Sequence, residues 1–98
     1  MSRAFVNEDA ASEPEPVYTL PDPDSPHFDG AAALALIEGA NIGNTRSAEV
    51  ATGYRWGEPR LIQHIEVILA EALAAENDRS VQLANRFLRN AAELSKTD

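Results

Sequence analysis

Residues 58–75 read Glu-Pro-Arg-Leu-Ile-Gln-His-Ile-Glu-Val-Ile-Leu-Ala-Glu-Ala-Leu-Ala-Ala, and after Glu76-Asn77-Asp78 residues 79–95 read Arg-Ser-Val-Gln-Leu-Ala-Asn-Arg-Phe-Leu-Arg-Asn-Ala-Ala-Glu-Leu-Ser. In the first run Leu61, Ile65, Ile68 and Ala72, joined by Ile62, Leu69 and Leu73, recur at helical spacing and make one wide apolar stripe. Pro59 suits the first helical position, with Gly57 or Glu58 as the cap, so a helix is predicted over 59–75. The second run carries Val81, Ala84, Phe87, Leu88, Ala91 and Leu94 on one face and predicts a helix over 79–95, after a break and recap at Asn77-Asp78. Two helices of about 17 residues joined by about three must pack antiparallel. An antiparallel helical hairpin is therefore the expected C-terminal half. Its outward faces are mixed, with Arg60, Gln63, Glu66 and Glu71 on one helix and Arg79, Gln82, Arg86 and Arg89 on the other. Arg79, Arg86 and Arg89 read either as a modest basic stripe or as a solvated face shared with nearby acids.

Immediately upstream, Gly53-Tyr54-Arg55-Trp56-Gly57 holds the only tryptophan. The two glycines set the aromatic pair in an irregular connection or on the edge of a helix. Trp56 then has two readings, a plug that closes the helical core or part of an exposed contact. Before it, Asn44, Thr45 and Ser47 are all suited to cap a short helix at about residues 46–52, through Ala48-Glu49-Val50-Ala51, which Gly53 would stop. Earlier still, Ser25-Pro26 predicts the start of a helix over 26–41, with Asp29 in its first turn and Gly39 and Gly43 near its end. Its apolar face is expected to be Phe28, Leu34 and either Ile37 or Leu36.

Residues 1–25 are different in kind. Residues 1–26 hold five of the six prolines, and Glu13-Pro14-Glu15-Pro16 and Pro21-Asp22-Pro23-Asp24 combine charge with rings that lack a backbone donor. A disordered acidic tail over 1–25, ahead of a helical domain over 26–98, is the expectation. Phe5-Val6 and Val17-Tyr18-Thr19-Leu20 are apolar islands within it, suited to docking on a partner or back on the domain. The charge follows this division: residues 1–30 hold seven acids against one arginine, net −6, and the remainder nine acids against seven bases, net −2. An acidic chain argues against phosphate binding and suits a basic partner surface. A domain of about 70 residues has a core that supplies only about 3–5 kcal/mol, so a partner, or a homodimer, is a natural expectation.

The absence of cysteine excludes disulfides and thiolate chemistry. The N-terminus lacks the apolar run of a signal peptide and no stretch reaches the ~20 apolar residues of a membrane span, so a cytoplasmic protein without membrane association is expected. His27 follows a proline at a helix start, and His64 lies beside the apolar stripe without a ligand at i+4. No glycine-rich phosphate loop is present. A non-enzymatic binding module without cofactor or metal is the reading of the residues.

The segment Gly43-Asn44-Thr45-Arg46-Ser47-Ala48-Glu49, followed by Tyr54-Arg55-Trp56-Gly57 and Arg60-Leu61, resembles the coiled-coil tip and following helix of bacterial Gre transcript-cleavage factors. The opening Met1-Ser2-Arg3-Ala4-Phe5-Val6 resembles the start of Gre-like proteins with an extra N-terminal segment. The resemblance covers residues 1–6 and 43–65. It implies contact with RNA polymerase, where the family's acidic pair helps to hold a catalytic magnesium ion. Here Asn44 stands in place of the first acid and only Glu49 matches the second, and one carboxylate beside an amide binds a hard cation poorly. The resemblance thus implies polymerase contact without transcript cleavage.

The sequence leads to an all-α protein-interaction module, transcription-associated through RNA polymerase, with Tyr54, Arg55, Trp56 and Arg60 as the contact residues, because aromatic and arginine side chains dominate interface energetics. The alternative is a nucleic-acid-binding regulator that uses Arg79, Arg86 and Arg89 and is masked by the acidic tail. A third expectation, a magnesium-dependent cleavage factor, would rest on Glu49.

Overall fold

The computed structural model describes residues 18–96. Among them are four α-helices and no strand: α1 (Phe28–Asn41), α2 (Thr45–Thr52), α3 (Ile62–Ala74) and α4 (Asp78–Lys96), with a 3-10 turn, Pro59–Leu61, leading into α3. The all-α architecture and the C-terminal hairpin are as the periodicity predicts, with α3 and α4 in extensive contact.

The same device turns the chain twice. At the end of α1 the Gly43 N–H donates to the Ala40 carbonyl and the Asn44 N–H to the Gly39 carbonyl, with Gly43 at φ 75°. This pattern closes a helix on a left-handed residue and satisfies carbonyls that have no partner within the helix. Asn44 then opens α2, its Oδ1 accepting from the Ser47 N–H at 3.3 Å. At the end of α3 the Glu76 N–H donates to Leu73 and the Asn77 N–H to Ala72, and Asn77 Oδ1 accepts from the Ser80 N–H at 3.2 Å to open α4. The left-handed position there is Glu76, at φ 57°, where glycine would be unstrained. Two asparagines, each closing one helix and capping the next, account for both tight connections.

The first helix starts later than predicted. Ser25 Oγ accepts from the His27 N–H at 3.1 Å, and the Ser25 carbonyl accepts from Phe28, so Ser25 and Pro26 belong to consecutive turns. The helix proper begins at Phe28. Its apolar face also differs from the expectation: Leu34 is 48% exposed, whereas Ala32, Ala33, Ala35, Leu36, Ile37 and Gly39 are buried. These residues cover most of the circumference, because α1 is the central helix and packs on α2, α3 and α4. Gly39 permits its closest approach. A methyl group there would lie 2.8 Å from Ala48 Cβ on α2 and 3.1 Å from the Tyr18 hydroxyl.

Of the segment expected as a tail, residues 1–17 lie outside the described residues. Tyr18 is seated on the domain: it packs against the core and its hydroxyl shares a 2.7 Å hydrogen bond with Ser47 Oγ. The apolar island at Tyr18 docks back on its own chain. The largest fully buried side chains are Phe87, Leu36, Leu61, Ile65 and Leu83, which join α1, α3 and α4. Leu83 was absent from the predicted stripe yet lies one turn before Phe87 on its inner face. No helix among the described residues is long and apolar enough to cross a membrane.

Candidate interaction site

The connection 53–60 crosses the domain as a strap held on both sides. Gly53, at φ 78°, ends α2, and Thr52 Oγ1 donates to the Ala48 carbonyl at 2.8 Å while accepting from the Tyr54 N–H at 3.1 Å. The Tyr54 hydroxyl donates to Asp29 Oδ1 on α1 at 2.7 Å, and its ring lies 6.2 Å from that of Phe28. The Trp56 N–H donates to Glu49 Oε2 at 2.7 Å, and its indole N–H donates to Asn90 Oδ1 on α4 at 2.9 Å. The indole meets Phe87 edge to face, centroids 4.8 Å apart, the geometry preferred by ring quadrupoles. Gly57, at φ 87°, brings the backbone onto α4, where a methyl group would stand 3.1 Å from Asn90 Cβ. Glu58 then caps the entry to α3, its Oε2 accepting from the Arg60 N–H at 3.2 Å.

The four residues expected to form one contact patch are therefore divided. Trp56 is half-buried and engaged with Phe87 and Asn90, so it is the plug rather than the exposed contact. Tyr54 is half-buried and tied to α1. Arg60 is exposed, its guanidinium 6.0 Å from the Tyr54 ring centroid. The hydrogen bond to Asp29 raises the Tyr54 phenol above its usual value of 10.0, and the neighbouring Arg60 opposes that rise in part. Arg55 is exposed on the other side of the strap.

There it meets Arg46 and Val50, neither of them among the expected contact residues. Arg46, Glu49, Val50, Gly53, Tyr54 and Arg55 line a shallow open depression of about 300 Å³. Val50 is 71% exposed, more than any other large apolar side chain described. The signal for it was present in α2, where Ala48 and Thr52, four apart, are the buried pair and leave Val50 with Arg46 on the outside. Arg46 and Arg55 have no ion-pair partner among the described residues. The carboxylate of Glu49 is held by the Trp56 N–H between them.

Of the other candidate residues, Asn44, Glu49, His64 and Arg79 have packing or hydrogen-bond partners within the domain. Asn44 and Glu49, the two positions expected in the place of an acidic pair, bind backbone N–H groups of Ser47 and Trp56. Among the described residues no three His, Cys, Asp or Glu side chains cluster as a metal ion would require. His64 lies against Gly30 of α1, its Nδ1 3.4 Å from where a methyl group would stand. Within the arginine stripe of α4, Arg79 donates from Nε to Asn41 Oδ1 at 3.2 Å, while Arg86 and Arg89 are exposed. No family model, curated protein or solved structure matches the chain.

Proposed function

We propose that this chain is a non-enzymatic protein-interaction module whose contact surface is the outer side of α2 and of the strap. The observation that supports it is the placement of Val50, an exposed β-branched side chain beside a shallow depression and flanked by Arg46 and Arg55. An apolar centre with an arginine rim suits a partner that presents a small apolar side chain beside carboxylates, since arginine contributes both fork-shaped hydrogen bonding and apolar contact area. The strap holds this surface still. Its inner side is fixed to α1 by Tyr54 and to α4 by Trp56, so Arg55 projects from a connection whose backbone is already ordered, which lowers the entropic cost of binding.

Tyr54 and Trp56 act in this reading as positioning residues, and Arg55 and Val50 as contact residues. The Gre resemblance makes RNA polymerase the partner to examine first, through contact and not through magnesium chemistry. The test is affinity capture from native lysate with the wild-type chain and with Val50→Glu, a substitution that leaves the core untouched. A protein held by the wild type and lost with Val50→Glu supports the reading, and polymerase subunits in that set identify the partner. Identical captures from the two chains oppose it.

A further inference from the structure

Among the described residues, the α3–α4 hairpin is covered on one side only. Helix α1 packs on both of its helices, while α2 touches α1 alone. The other side of the hairpin presents Leu73, 59% exposed, near the turn, with Ile62, Leu69, Val81 and Leu88 half-buried along its length. This face lies away from the α2 and strap surface assigned above.

We infer that a second copy of this chain covers it, the two hairpins packing face to face about a two-fold axis parallel to the helices. The sequence numbering around the turn supplies the argument. Because α3 and α4 run antiparallel from a turn at Asn77, such an axis sets α3 of one copy against α4 of the other, matched by distance from that residue. Leu73 and Val81 stand four residues before and after Asn77, and Ile62 and Ala92 fifteen before and after. Apolar residues thus meet at both ends of the seam. Glu66 is eleven residues before the turn and Arg89 twelve after, both exposed and both at the outer border of the apolar strip. At about 1.5 Å per residue both lie about 17–18 Å from the turn, so Glu66 of one copy faces Arg89 of the second, and the symmetry creates the pair twice. Opposite charges at matched height, beside a seam that is apolar at both ends and has Asn85 opposite Leu69 between them, make the face complementary to itself. The product is a four-helix layer, the arrangement in which apolar hairpin faces are commonly closed.

The full-length chain tests this by analytical ultracentrifugation from low micromolar to millimolar concentration. The expected result is a monomer–dimer equilibrium. Leu73→Glu, at an exposed position that circular dichroism should show still folds, should weaken it by at least about tenfold by placing a charge in the seam. Glu66→Arg should also weaken it by about tenfold, and adding Arg89→Glu should restore it to within about threefold. A monomer at every concentration overturns the inference and assigns the face to another occupant. So does a dimer indifferent to Leu73→Glu, or one that the double charge reversal fails to restore.

Discussion

Replacing Trp56 is the perturbation that separates positioning from contact on the strap. Trp56→Ala removes the indole hydrogen bond to Asn90, worth about 1 kcal/mol. It also removes the edge-to-face contact with Phe87, about 0.5–1.5 kcal/mol beyond the area buried. With the lost apolar area the total comes to about 3–5 kcal/mol, the range of large-to-alanine changes in cores. A domain of this size holds only about 3–5 kcal/mol in all. Trp56→Ala should therefore be largely unfolded at 25 °C, and any loss of binding it causes would reflect the fold. The informative experiment is a double-mutant cycle of Trp56→Phe and Asn90→Ala, followed by urea unfolding monitored by far-ultraviolet circular dichroism. The expected coupling is about 0.5–1.5 kcal/mol. A coupling near zero, together with a cooperatively folded Trp56→Ala chain, would refute the reasoning and return Trp56 to the contact surface.

Glu76→Gly should stabilise the domain by about 0.5–1 kcal/mol, since it relieves a left-handed residue at the α3–α4 turn and exceeds the entropic cost of glycine there. The urea midpoint should rise with an unchanged slope. Tyr54 predicts a pH dependence. Its folded phenol titrates above the usual 10.0, so the folded state holds the proton more tightly, and this contribution, complete below that value, is lost as the pH rises through the folded value. Stability measured from neutral to strongly alkaline pH should fall less steeply for Tyr54→Phe than for the wild type.

Much of the fold was legible because its punctuation is local. Asn44, Gly53, Pro59 and Asn77 each act through hydrogen bonds or dihedral angles within a few residues, and the helix ends fall close to where they point, the furthest being α3, which begins at Ile62 after the 3-10 turn from Pro59. The role of α1 was not legible. Its run Ala31-Ala32-Ala33-Leu34-Ala35-Leu36-Ile37 is apolar all round, so periodicity could not show that Leu34 faces outward while the alanines face α2 and the core. Nor could the sequence show how the strap divides. Tyr54 meets Asp29 and Trp56 meets Asn90 across 25 and 34 residues, and only those tertiary partners reveal that the two aromatic rings point inward. Composition drew attention to the stretch, but its exposed arginine, Arg55, lies beside Arg46 and Val50 of the preceding helix.

Whether the outer side of α2 and the strap carries the contact is decided by comparing partner capture across four chains. These are the wild type, Val50→Glu, Arg55→Ala, and a control with Arg86→Ala and Arg89→Ala on α4, each first shown to be folded. A protein should be retained by the wild type and the α4 control and lost from Val50→Glu, with Arg55→Ala reduced. Retention by Val50→Glu and Arg55→Ala with loss in the α4 control would contradict it and place the contact on α4.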